Sequence, residues 1–255
     1  MHARNLVSVL TLTFVLPALA NAALIVSHTG AIDPLNEGWL ASGSWGANNV
    51  LVGSVYNDAG HDAWMVDDNI VNSGTARGYL YNQTAQDIAD GQALGWQLDF
   101  TVRSVDKPDS QDLAVAIEIG DDVRRWGSAI YLDGAGNTEL WLLTGSLFGP
   151  TVTIAGEGYH DYSMIYDPLD QMVDVLVDNL LVYSDWAGNS DIGSQRVVWG
   201  SNQSAATGQG NWAAVSLNIL EPVETGVPMP ASWLLLGPLS LWVARRGASL
   251  PRNPG

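Results

Sequence analysis

Between residues 23 and 220 the chain alternates short apolar runs with clusters of Gly, Asn, Asp, Ser and Thr, with a turn signal about every ten residues. No long stretch carries apolar residues at helical spacing, and residues 84–91 suit at most one short helix. The pattern predicts strands at 49–56, 78–81, 94–102, 114–119, 129–132, 139–143, 151–154, 161–166, 172–177, 180–183, 195–200 and 213–219. In Trp96-Gln97-Leu98-Asp99-Phe100-Thr101-Val102 the even positions are apolar and the odd ones polar, which predicts one buried and one wet face. Residues 172–177 are apolar except for Asp174 and suit a more central strand. Two apolar runs joined by Asp178-Asn179 predict a hairpin with a two-residue turn. Upstream, Asp167-Pro168-Leu169-Asp170 is a second turn, so three consecutive antiparallel strands are expected. Roughly a dozen strands without long helices or repeats predict an all-β fold of two packed antiparallel sheets. One domain, 23–220, followed by a linker at 221–226, is the simplest organisation.

The two ends break this pattern. Residues 1–22 read as a secretory signal peptide: Arg4 is cationic, 6–19 is apolar, and Ala20-Asn21-Ala22 is a cleavage pattern that places the mature start near Ala23. Ala18-Leu19-Ala20 offers a cut two residues earlier, and Pro17 breaks a run already too short to anchor. At the other end stand Val227-Pro228-Met229-Pro230, an apolar segment at 231–244, Arg245-Arg246 and a short tail, 247–255. That segment is interrupted by Pro238 and is too short for a stable span, while Arg245 and Arg246 favour the cytoplasmic side. The expectation is a transient membrane anchor on an exported envelope protein.

Composition narrows the chemistry. Cysteine is absent, which removes thiol catalysis and Cys-ligated metals. All 27 acidic residues lie between Asp33 and Glu224, against six cations in the same stretch (Arg77, Arg103, Lys107, Arg124, Arg125, Arg196), leaving 21 net negative charges. Such a surface repels phosphate backbones, so no nucleic-acid partner is expected. It does suit calcium, for which Asp58, Asp62, Asp67 and Asp68 are candidate ligands, with Asp106, Asp109 and Asp112 as a second stretch.

The residues Tyr159-His160-Asp161-Tyr162 through Asp167, then Val173-Asp174-Val175-Leu176-Val177-Asp178-Asn179, resemble the meander of laminin-G-like members of the concanavalin A-like lectin/glucanase superfamily. Val198-Trp199-Gly200-Ser201 and 208–217 resemble its closing strands. The resemblance implies a jelly-roll sandwich over about residues 94–219, in a superfamily that holds lectins, hydrolases and adhesion modules. The C-terminal segment resembles the PEP-CTERM sorting signal, which implies processing by an exosortase. Val227, Pro228, Pro230, Arg245 and Arg246 match that signal, and Met229 stands where Glu is usual.

Within the domain, Glu118 and Asp121 are the carboxylates that best suit acid–base chemistry, although three positions apart on a strand they point to opposite faces. Gly120 is expected to end the strand and leave Asp121-Asp122 in a turn. Trp126 and Trp186, flanked by charged and loop residues, are the candidates for stacking on sugar rings, whereas Trp96, Trp199 and Trp212 look like core. His160 sits at a strand start, where a structural role is expected. Non-catalytic polysaccharide binding or adhesion is the favoured function. A glycoside hydrolase or lyase, and a structural matrix protein without a defined ligand, are the alternatives.

Overall fold

The computed structural model describes residues 22–41, 53–67, 78–105, 115–144, 147–190, 194–201 and 208–221, all within one compact unit, Leu19–Glu221. The signal peptide apart from Ala22, the 222–255 segment with its sorting motif, Asp68, Asp106, Asp109 and Asp112 lie outside the described residues.

Fifteen strands and one α-helix are found among the described residues, in two antiparallel sheets. The eight-stranded sheet contains β1 (Ala22–Thr29), β3 (Gly53–Asp58), β4 (His61–Asp67), β6 (Trp96–Ser104), β11 (His160–Asp167), β12 (Met172–Val177), β13 (Leu180–Trp186) and β15 (Gln209–Leu220). Its order is β13-β12-β11-β6-β15-β4-β3, with β1 paired to β15. The seven-stranded sheet contains β2 (Leu40–Ala41), β5 (Gly78–Asn82), β7 (Ala116–Gly120), β8 (Arg125–Leu132), β9 (Asn137–Thr144), β10 (Leu147–Ala155) and β14 (Arg196–Gly200). Its order is β10-β9-β8-β7-β14-β5-β2. The fold is a sandwich of two antiparallel sheets, as the spacing of turns and apolar runs predicts, and it is consistent with the jelly roll that the resemblance implies.

Local expectations hold where the pattern is strong. β6 alternates buried and half-buried residues along its whole length. Strands β11, β12 and β13 form the three-strand meander, and Asp178 and Asn179 both take positive φ, as a two-residue hairpin turn of this twist requires. Asp167 accepts from the Leu169 amide and Asp170 from the Met172 amide, which closes the other turn. β12 is second from the sheet edge and keeps Asp174 exposed.

Three strands escape the pattern. Within β1, Leu24-Ile25-Val26 follows directly on the apolar leader and lacks its own turn boundary. β4 hides in a run of aspartates, and β2 has only two residues. The helix α1 (Ala85–Leu94) is longer than expected. Thr84 and Asp87 form a reciprocal capping box, with the Asp87 amide donating to Thr84 Oγ1 and the Thr84 amide to Asp87 Oδ2. Little but Ile88 and Gly91 is buried on it, so no apolar stripe betrays it.

Aromatic rings fill the space between the sheets. Trp199 stacks on His28 at 4.8 Å and touches Tyr79, Trp212 and Trp39 at 4.7, 5.2 and 5.7 Å. A second group joins Trp96, Trp126 and Tyr166 at 5.4–5.5 Å. Such pairs add about 0.5–1.5 kcal/mol each beyond area burial.

Candidate functional site

Each sheet has one face in this core, so the outer faces carry what is left for function. On the eight-stranded sheet the outer face is a polar ladder. Gln97 and Ser163 donate to Asp99, and the Thr101 hydroxyl donates to Asp161. Those side chains satisfy one another and are read as a solvated face.

The outer face of the seven-stranded sheet is different. Ile117 and Ile119 point into the core, so Ala116, Glu118 and Gly120 on the same strand point outward. Strand pairing sets Gly78, Gly200, Ala116, Ala129 and Trp141 side by side across five strands. This makes a row about 19 Å long in which four of five residues have a methyl group or less and all but Trp141 are buried. Tyr131 and Trp141 close one end, with ring centroids 5.2 Å apart and planes inclined by 59°. The Trp141 indole N–H donates to Glu139 Oε2 at 2.9 Å, which fixes the ring's orientation.

The next row reads Leu80, Val198, Glu118 and Gly127. Glu118 is 3% exposed, and its Oε2 lies 3.3 Å from Arg125 Nη1. Burying the carboxylate opposes its charge, and the guanidinium offsets that cost.

Glu118 and Asp121 are engaged separately, Glu118 with Arg125 and Asp121 with the turn that follows β7. Asp121 lies past the end of β7, where Oδ1 accepts from the Val123 and Arg124 amides and its own amide donates to the Arg124 carbonyl. It organises the β7–β8 turn, as expected, but it is buried rather than solvated. The other carboxylate on this face, Glu139, is four residues along the strands and two strands across from Glu118, about 16 Å at the backbone. A glycosidase needs its two carboxyls within about 5–10 Å.

Trp126 and Trp186 are corrected. Both are core, 0% and 2% exposed, and Trp126 donates its indole N–H to the Trp186 carbonyl at 3.1 Å. β8 begins at Arg125, one residue before Trp126, and the alternation set by that start turns Trp126 inward against Trp96 and Tyr166. The stacking candidate that the sequence reading missed is Trp141, half-buried, beneath which Tyr131 packs at 3% exposure with Ala116 and Ala129. A signal existed: both alternate with the inward Ile130, Leu140 and Leu142 on adjacent strands.

Of the aspartates proposed for calcium, those described lie on the β3–β4 hairpin, Asp58 and Asp62 at its turn and Asp67 at its other end. Asp58 ends β3 and accepts from Arg103 Nη1 at 2.8 and 2.9 Å, from Asn211 Nδ2 at 2.8 Å and from the Tyr159 hydroxyl at 3.3 Å. Burial pushes the Asp58 carboxyl up, but the hydrogen bonds from Asn211 and Arg103 and the Arg103 charge together hold it below its ordinary value. Asp62 accepts from Asn57, and Asp67 stands at the far end of β4. Among the described residues no group of three or more His, Asp or Glu is arranged to hold a metal ion.

Two histidines are structural. His160 is buried and shares a 2.8 Å contact between Nδ1 and Asp178 Oδ2, while Asp178 Oδ1 takes the Asp161 amide. His28, 1% exposed, meets Glu37 Oε2 at 2.6 Å, and Glu37 also accepts from the Thr29 amide and hydroxyl. Burial pulls the His28 pKa down, against the opposing pull of Glu37, Asp33 and the Trp212 backbone.

No family model and no curated protein matches this chain. Among solved structures it is similar to a carbohydrate esterase of the Shiga toxin-encoding bacteriophage phi24B, with a TM-score of 0.61 and 12% identity over 79% of this chain and 100% of that one. Weaker likenesses run to botulinum neurotoxin type C (TM-score 0.47, 8% identity, 78% of this chain and 48% of that one) and to Trypanosoma rangeli sialidase (0.41, 15%, 72% and 31%). The chain spans half or less of those two proteins, which add nothing to the fold assignment. At such identities the likeness is one of fold: this chain carries a two-sheet antiparallel sandwich of the kind found in the phage esterase.

Proposed function

We propose that this is an exported envelope or extracellular-matrix protein whose sandwich binds polysaccharide without cleaving it. The observation that carries the reading is Trp141 on the outer face of the seven-stranded sheet, a half-buried indole held in place by Glu139 and by the ring of Tyr131 beneath it. Sugar rings present C–H faces that stack on aromatic rings, and the half-buried Trp141 ring keeps part of its surface in solvent. A single buried carboxylate held by Arg125, with Glu139 about 16 Å away, supports binding over glycoside hydrolysis. The carbohydrate-directed activity named for the phage esterase is in keeping with this class of ligand.

Export and sorting belong to the same reading. Cleavage before Ala23 leaves β1 paired with β15 from Ala23↔Ile219 onward. β15 ends at Leu220, just before the 221–226 linker. An exosortase-type enzyme acting at Val227–Pro230, with transient anchoring through 231–244, then releases a whole sandwich into the envelope.

The test is a glycan array probed with the purified protein, run beside reducing-sugar and unsaturated-product assays. Binding that Trp141→Ala abolishes while circular dichroism stays unchanged is the expected result. Product release makes the protein an enzyme instead, and an empty array leaves the structural matrix role. For the tail, a chain ending at Thr225 should remain folded and soluble. Aggregation or lost β-signal would place 226–255 in the fold.

A further inference from the structure

We infer that the end of the sandwich at which β1 begins and β15 stops is a membrane-facing surface, with Leu169 and Val123 entering the headgroup boundary of a zwitterionic bilayer. The inference rests on the transient anchoring through 231–244 proposed above and specifies which part of the sandwich the anchor brings to the lipid. Ala22 pairs with Leu220, so the leader and the sorting tail both join the sandwich at this one end. The Leu220 amide donates to the Gly95 carbonyl at 3.0 Å, and a Cβ on Gly95 would stand 3.1 Å from Leu220 Cδ1 and 3.4 Å from Pro168 Cδ. The turn after β11 is therefore beside the point where the chain leaves. Arg124 Nη1 donates to the Gln171 carbonyl at 2.8 Å and Gln92 Nε2 to the Asp121 carbonyl at 2.9 Å, which ties the β7–β8 turn to that turn and to α1.

Both turns carry an apolar residue at the tip. Leu169 is 93% exposed and Val123 61%, and Leu94, exposed at the end of α1, stands beside them. The same bond sets each tip: the Leu169 amide donates to Asp167 Oδ1 at 2.8 Å, and the Val123 amide to Asp121 Oδ1 at 3.0 Å. At the opposite end of the sandwich the β8–β9 turn, 133–136, and the β12–β13 turn, Asp178-Asn179, present only Asp, Gly, Ala and Asn. Apolar tips on adjacent turns, at the end from which an apolar tail leaves, are placed to enter a lipid boundary.

Chain length makes the contact effective. Residues 221–230 separate Leu220 from the apolar segment, and ten residues span at most about 36 Å. An anchor in the bilayer therefore holds this end near the lipid at an effective concentration of about millimolar, where a contact too weak to bind alone is populated. The exposed carboxylates of Asp122, Asp167 and Asp170 flank the tips and direct the surface to zwitterionic rather than anionic lipid. Docking by this end leaves both sheet faces, with the half-buried Trp141, clear of the bilayer.

The chain has no cysteine, so single ones can be introduced without background. The whole chain carrying Leu169→Cys, Val123→Cys, Leu180→Cys or Leu236→Cys is labelled with nitrobenzoxadiazole and reconstituted into phosphatidylcholine vesicles with and without a nitroxide-bearing lipid. Leu180 follows the β12–β13 turn at the opposite end and is 70% exposed, so it controls for the label's own affinity for lipid. The inference expects the nitroxide to quench positions 236, 169 and 123 by about half or more and to leave position 180 unchanged. Leu169→Ser together with Val123→Ser should remove the quenching of a label placed by Leu94→Cys, with unchanged melting temperature because both side chains are exposed. Quenching at 236 with none at 169 and 123, or equal quenching at 180, overturns the inference and leaves the anchor standing. No quenching at 236 overturns the anchor and the inference together. Labels at 169 and 123 that are already shielded in buffer, and freed when the chain ends at Thr225, put the tail on this surface in place of lipid and overturn the inference as well.

Discussion

The contact of His28 with Glu37 offers the sharpest test of how the core is held. Glu37 lies outside β1 but serves three donors on it: His28 Nδ1 at 2.6 Å, the Thr29 amide at 3.0 Å and the Thr29 hydroxyl at 2.9 Å. In Glu37→Ala the two Thr29 donors are exposed and turn to water at little cost. His28 cannot, being 1% exposed and stacked on Trp199. Leaving one buried imidazole donor unmatched costs about 1–3 kcal/mol, which for a domain of this size lowers the melting temperature by about 2–12 °C. Glu37→Gln keeps an acceptor oxygen and should lose about 1 kcal/mol or less. The pH dependence carries its own sign. Burial holds the folded His28 pKa below 6.5, so the unfolded chain binds the proton first. Stability is then full above 6.5 and falls as the pH drops from there toward the folded value. Glu37 opposes that depression, so removing it lowers the folded pKa further and deepens the acid loss. Scanning calorimetry of wild type, Glu37→Ala and Glu37→Gln at pH 7.5, 6.5 and 5.5 reads both effects. A melting temperature for Glu37→Ala within one degree of wild type, with the same slope below pH 6.5, would refute the reasoning.

Trp126→Ala removes a fully buried indole and its bond to the Trp186 carbonyl, so a loss of about 3–5 kcal/mol is expected by chemical denaturation. A variant with wild-type stability would return Trp126 to the surface. Gln171 holds φ 62° in the turn between β11 and β12, so Gln171→Gly should gain about 0.5–1 kcal/mol; a loss on the same measurement would show that the side chain holds the turn. Asp58 and Asp178 both have carboxyls held below 3.8, by Asn211 and Arg103 in one case and by His160 and the Asp161 amide in the other, each against the opposing effect of burial. Their contribution is present above the unfolded value and lost as pH falls below about 3.8. Asp58→Asn should therefore flatten the wild-type acid transition there, and an unchanged transition in circular dichroism would count against the Arg103–Asn211 clamp.

Much was decided by the sequence alone, because some signals are local. A period of two makes β6 a strand with one buried face wherever it lies, and Asp178-Asn179 makes a tight turn because those residues tolerate positive φ. Turn spacing and the absence of a long apolar helix then leave two packed antiparallel sheets as the fold. What no local signal carries is the strand order. That β14 joins β7 on the side away from β8, with β5 beyond, depends on pairings between residues some 80 to 120 positions apart. The outer-face site is made by that order. Glu118 takes its place between Val198 and Gly127, and Ala116, Ala129 and Trp141 line up, only once the sheet is assembled. The same dependence misplaced Trp126, since a single residue of strand register turns a side chain from solvent to core. A tryptophan beside two arginines looks exposed on the chain; in the sandwich the arginines keep the surface and the indole lies between Trp96 and Tyr166.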